Sequence, residues 1–254
     1  IRITAQLIDA INGKQLWAER YDRSLKDIFA VQDEITINIL EAMALKVSGQ
    51  ERVREVSKHP KNLDAYLKVL EGVHFLSQQN PSDLIKAETL FEEAIALDPE
   101  YATPHALLGI CHFSEVMHGV AKSPRESIME ASKLAQKALA LDESNPVVHR
   151  LFGYIYWASH QLDKSVAAFE RAVELNPNDS MSLLFLGWAL TRIGKPQEAI
   201  AIYNRILRID PLAPAQIYYG LGWANELMKN YEQAISYYKK CLRLGQVMFW
   251  PCQD

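Results

Sequence analysis

The chain has 254 residues, 49% of them apolar, and a formal net charge of −4. That length leaves room for more than one domain, and the mild, mixed charge supplies neither the basic field that nucleic acid requires nor a polybasic stretch for an anionic membrane. Cys111, Cys241 and Cys252 lie far apart without CxxC or zinc spacing, and no apolar run approaches the roughly 20 residues of a bilayer span, so the expectation is a cytoplasmic protein. The chain begins at Ile1, which leaves open a leader or a membrane span upstream.

The first 21 residues favour strands. IRITAQLID partly alternates, Asn12-Gly13 is a turn signal, and QLWAERY follows in the same style, which predicts a β-hairpin. A lone two-stranded hairpin is marginal in water, so these strands either pack on the helices behind them or end a larger sheet lying upstream. From Asp27 the period changes. Ile28, Phe29, Val31, Ile35, Ile39, Leu40 and Met43 recur at helical intervals and predict an amphipathic helix from about Phe29 to Val47. The charged stretch ERVREVSKHPK, with Pro60, reads as a linker, dividing the chain into residues 1–50, a connection over 51–61 and a helical region over 62–254.

The helical region repeats itself. Gly153 and Gly187, Ser165 and Ala199, Phe169 and Tyr203, Ala172 and Ile206, and Pro177 and Pro211 are all 34 residues apart. That period reads as a helix–turn–helix solenoid, in which a unit buries its apolar face only against its neighbour. Small residues such as Gly153, Ala168 and Ala172 admit close helix approach, Phe169 and Tyr156 fill the space left, and Pro177 ends a helix.

Five such units can be counted. The first carries Gly72, Ala87, Phe91, Ala94 and Pro99, and Asn80-Pro81 supplies a cap followed by a proline at the first helical place. The second carries Gly109, Ala131, Ala135 and Ala138, with Glu143 in place of the proline. Its Gly109 and Ala131 are 22 positions apart, where Gly153 and Ser165 are 12 apart. Ser123-Pro124-Arg125-Glu126 reads as a capping box, predicting longer helices here and a protruding loop over 118–124. The fifth unit has Gly222, Ala234, Tyr238 and Cys241, with Gln246 where a proline would stand. Met248, Phe249 and Trp250 are expected either to fold back over the last pair or to leave an apolar end that a second copy covers.

The pattern resembles the tetratricopeptide repeat family. The resemblance implies an all-α, right-handed superhelix of five helix–turn–helix repeats behind a small α/β remnant, and an interaction scaffold rather than an enzyme. Residues 1–48, through LWAERYDR and DIFAVQDEIT, resemble the end of the TolB-like or FlgO-like domain of bacterial signalling proteins. There the domain is followed by tetratricopeptide repeats and preceded by a class III adenylate cyclase, a winged-helix DNA-binding domain or a protein kinase.

In the family, the first helices of successive pairs line a concave groove. Given 3.6 residues per turn, the inward places around each glycine fall on Val69, Val73 and Leu76; Ala106, Ile110 and Phe113; Arg150, Tyr154 and Trp157; Leu184, Trp188 and Thr191; and Tyr219, Trp223 and Glu226. The candidate peptide-binding residues are therefore Arg150, Tyr154, Trp157, Trp188, Arg192, Tyr219 and Trp223, because Trp, Tyr and Arg dominate binding energy at protein interfaces. The expected ligand is an extended or helical apolar segment, with a carboxylate for an arginine to hold. Large aromatics at these places serve equally as packing between successive helices. Family members that clamp chaperone carboxyl termini carry Lys and Asn at the inward places, which argues against that ligand.

Catalytic constellations are missing from the sequence: it contains no GxSxG, no HExxH and no phosphate-cradling glycine loop. His105, His112 and His118 are close in sequence, but no Cys or carboxylate completes a metal set by spacing. The reading is thus of a protein without catalytic activity, cofactor or metal, whose partner is a protein or peptide. The alternative is a self-association module, a homo-oligomer that dimerises an attached effector such as a class III adenylate cyclase.

Overall fold

The structure, a computed structural model, describes residues 1–9, 13–42, 60–78, 80–210 and 214–244. They fall into two compact units, residues 1–63 and 64–254. The expected linker and the apolar tail at Met248, Phe249 and Trp250 lie largely or wholly outside the described residues.

In the first unit, β1 (Arg2–Ile8) and β2 (Gln15–Asp22) pair antiparallel, from Arg2 opposite Asp22 to Leu7 opposite Trp17. The tip of the expected turn, residues 10–12, lies outside the described residues. Gly13 has φ 71°, and the Asp9 amide donates to Lys14 O at 2.8 Å to close the strands. A short 3-10 turn (Leu25–Asp27) leads into α1 (Ile28–Ala42), which packs on both strands. Tyr21 and Val31 are buried between helix and sheet, and the Tyr21 hydroxyl donates to Glu19 at 2.8 Å while accepting from Asn38 at 2.9 Å.

The second unit consists of helix pairs in sequence order. They are α2 (Leu63–Ser77) with α3 (Pro81–Leu97), α4 (Ala102–Met117) with α5 (Pro124–Leu141), α6 (Pro146–Ala158) with α7 (Leu162–Leu175), α8 (Ser180–Arg192) with α9 (Pro196–Ile209), and α10 (Ala215–Leu227) with α11 (Tyr231–Arg243). Each pair stacks on the next: α3 on α4, α5 on α6, α7 on α8 and α9 on α10. The sequence signals for the starts of α3 and α5 are used as read. Asn80 accepts the Asp83 amide at 3.0 Å ahead of Pro81, and Ser123 accepts that of Glu126 at 3.4 Å. Helix α6 begins in the same manner, Asn145 accepting the Val147 amide at 3.0 Å ahead of Pro146.

The glycine period has one cause. A Cβ on Gly72 would stand 2.5 Å from the Phe91 ring, one on Gly153 2.6 Å from Phe169, one on Gly187 2.4 Å from Tyr203 and one on Gly222 2.5 Å from Tyr238. In four pairs, then, an aromatic ring of the second helix packs against a bare backbone on the first. The second pair departs from this. Ala135 occupies the ring's place, and the space at Gly109 is filled by Leu151 of the following pair, 2.5 Å from where a Cβ would stand.

The extra residues of the second pair form mostly helix. Helices α4 and α5 have 16 and 18 residues against 13 and 14 in α6 and α7. The expected protruding loop is reduced to a short turn between Met117 and Pro124, closed by Gly119 at φ 69°.

Candidate peptide-binding cleft

The first helices of the early pairs enclose a cleft of about 340 Å³, within the usual range for ligand-holding pockets. Helix α2 contributes Val73 and Leu76, α4 contributes Ile110 and Phe113, α6 contributes Arg150 and Tyr154, and α8 contributes Met181 and Phe185. The floor is an aromatic ladder. Phe113 stacks on Tyr154 with centroids 4.6 Å apart and planes 3° from parallel, and Phe185 meets Tyr154 edge-on at 4.5 Å. Burial pushes the Tyr154 phenol far above its ordinary range.

Polar atoms stand at the margin. Arg150 Nη1 donates to both carboxylate oxygens of Asp179 at 3.0 Å. That carboxylate also accepts the Ser182 amide and so caps α8, which ties the third pair to the fourth. Arg150 Nε, by contrast, is buried without a hydrogen-bond partner among the described residues. His118 Nδ1 lies 2.7 Å from Ser114 O, and its Nε2 is likewise buried and unpartnered among the described residues.

Of the seven residues expected to form the groove, only Arg150 and Tyr154 line this cleft. Trp188 is buried edge-on against Phe185 at 4.9 Å, behind the cleft wall. Trp157 is half-buried with the Arg192 guanidinium 5.3 Å above its ring, Tyr219 is exposed and tilts against Tyr238, and Trp223 is half-buried. The inward places Val73, Leu76, Ile110 and Phe113 also line the cleft. Phe185, Met181 and His118 were missed. Phe185 is two positions before its glycine, off the spacing used, and His118 follows the last turn of α4.

Two helices assemble a second polar cluster. Glu88 of α3 and His112 and Glu115 of α4 bring one ligand-capable atom each within 4.8 Å of one another. Spacing in the sequence completes no metal set around the histidines; the fold brings two carboxylates to His112, one of them from a different helix. Burial, followed by the charge of Glu115, holds the Glu88 carboxyl above its ordinary pKa.

A stack of helix pairs with a concave apolar face is a helical-repeat binding scaffold. Residues 150–214 and 215–245 match the tetratricopeptide repeat family, so this part of the chain consists of tetratricopeptide repeats. Among curated proteins, "Putative adenylate cyclase 3" of Rhizobium meliloti (strain 1021) is 37% identical over 118 residues, covering 46% of this chain and 20% of that protein. A peroxisomal targeting signal receptor of Candida glabrata is 32% identical over 57 residues, covering 22% of this chain and 10% of the receptor. The chain thus spans a fifth or less of the length of these relatives.

Among solved structures, pilF of Pseudomonas aeruginosa has a TM-score of 0.54 at 19% identity, over 72% of this chain and 78% of that one. A thermophilic tetratricopeptide protein of Thermus thermophilus has 0.55 at 17%, over 71% and 91%. These two share the fold, an all-α tetratricopeptide superhelix. Among the described residues, no helix is long and apolar enough to cross a membrane.

Proposed function

We propose that the tetratricopeptide region binds a short protein segment in the cleft over Tyr154, and that it serves as the interaction and regulatory part of a larger bacterial signalling protein. The observation that carries this reading is one apolar cleft with an aromatic floor, bordered by Arg150 and His118. Such a site accepts an apolar side chain of an extended or helical segment. Arg150 is already neutralised by Asp179, so the ligand need not be strongly acidic. The half-buried Trp157 and Trp223, with Arg192 and Tyr219, extend the recognition surface along the later pairs, and Trp188 supports its wall. The relative named as a targeting-signal receptor and the one named as a cyclase support a binding role attached to a separate effector. No catalytic role falls to this chain in that reading, and the place of action is the cytoplasm.

The test is a panel of apolar peptides, free and amidated at the carboxyl end, titrated by calorimetry and by tryptophan fluorescence. Trp157 and Trp188 both touch Phe185 and should report occupancy. Val73→Asp places a charge on a partly exposed cleft wall and should weaken binding at least tenfold, about 1.4 kcal/mol, with an unchanged melting temperature. Peptides that bind Val73→Asp as well as the parent would overturn the assignment.

A second reading, self-association, draws on α11, where Tyr231, Ile235 and Leu242 are each more than half exposed. Light scattering over a concentration series distinguishes the two: a dimer abolished by Ile235→Asp favours self-association, and a monomer throughout excludes it.

A further inference from the structure

We propose that Glu88, His112 and Glu115 form a binding site for one divalent transition-metal ion of the zinc or manganese kind, joining the first helix pair to the second. The three residues come from two helices and place one nitrogen and two carboxylate oxygens within 4.8 Å of each other. The spacing within α4 suits a shared ion. His112 Nδ1 and Glu115 Oε2 are 3.3 Å apart, and two ligands at zinc's usual bond lengths in a tetrahedral site are separated by roughly 3.4 Å.

The third ligand shows an unmet need. Glu88 Oε1 is buried and has no hydrogen-bond partner among the described residues, although buried carboxylate oxygens are normally paired with donors or cations. The Ser127 hydroxyl of α5 donates to Glu115 Oε2 at 3.1 Å, the kind of outer contact that orients a ligating carboxylate. Two carboxylates and a neutral imidazole balance a dication, and their nitrogen and oxygen donors suit zinc or manganese better than a thiolate-seeking ion. The side chains of His112 and Glu115 are each about a quarter exposed, at 27% and 28%, which gives an ion a way in and leaves coordination positions for water.

The site is distinct from the cleft and does not depend on the peptide reading. Its effect would be to fix α3 against α4, stiffening the wall from which Leu84 and Ile110 reach the cleft.

The experiment titrates zinc chloride, and separately manganese chloride, into the full chain at neutral pH under reducing conditions, read by calorimetry and by thermal melting. The expected result is one equivalent bound with a rise in melting temperature. Glu88→Gln and His112→Gln should each lose at least about tenfold in affinity, the loss that removing even an outer-shell partner causes, and should lose the metal-dependent rise in melting. Glu130→Gln, an exposed change elsewhere on α5, should bind as the parent does. Circular dichroism of the apo variants checks that the fold is kept. Absence of saturable binding by either metal, or binding unaffected by Glu88→Gln and His112→Gln, overturns the proposal.

Discussion

Replacing Gly187 by alanine sets helix propensity against packing, and the structure says which prevails. Alanine is favoured over glycine inside a helix by about 1 kcal/mol, so in isolation the change should stabilise α8. The new methyl carbon, however, would stand 2.4 Å from Tyr203 Cε1, 2.7 Å from Cζ and 3.1 Å from Cδ1, where carbon atoms rest at about 3.5–4.0 Å. The ring would have to retreat by about 1 Å. It has nowhere to go, because Tyr203 is completely buried and Gly220 of the next pair backs the same ring, with Cζ 2.5 Å from where a Cβ there would stand. Overpacking of this kind costs about 1–3 kcal/mol. The net expectation is a loss of up to about 2 kcal/mol, which for a chain of this size lowers the melting temperature by up to about 8 °C. Thermal and guanidinium unfolding followed by circular dichroism measures it. In a Tyr203→Leu background the clash is gone, and Gly187→Ala should become neutral or stabilising, a coupling that a double-mutant cycle isolates. A Gly187→Ala protein that melts at or above the parent temperature would refute the claim that glycine recurs to admit the ring.

The remaining predictions concern turns and titration. His160 and Lys229 adopt φ of 56° and 61° at the turn where the fourth pair has Gly194 at 80°, so Lys229→Gly should raise stability by about 0.5–1 kcal/mol by relieving left-handed strain, measured by the same unfolding curves. Burial raises the Tyr154 and Tyr203 phenols above the ordinary value. Because the folded state then holds those protons more tightly than the unfolded chain, stability should be steady below about pH 10 and fall as pH rises beyond it. Phenolate absorbance should show these two tyrosines titrating together with the loss of helicity.

What could be read from the sequence was whatever lies within one helix pair. The 34-residue interval and the caps at Asn80 and Ser123 are local, and each kept its meaning in three dimensions. The hairpin and α1 were equally legible, since β-formers around Asn12-Gly13 and the change of period at Asp27 are local signals too. Relations between pairs were not legible. Arg150 meets Asp179 of the next pair, which turns a presumed free guanidinium into a fixed strut. Glu88 reaches His112 across two helices, and no spacing rule connects them. Aromatic content marks only part of the cleft lining: Arg150 and Tyr154 of the expected residues border it. Trp188 is buried as packing, while Tyr154 shares the cleft lining with the aliphatic residues Val73, Leu76 and Ile110.

Leu151 reaching back to Gly109 has a consequence for any attempt to shorten or shuffle this protein. The four ring-and-glycine pairs carry their own keystones. The second pair borrows its keystone from its neighbour. Cutting out the third pair would leave a hole under Gly109, so these two must be inherited, moved or redesigned as a single block.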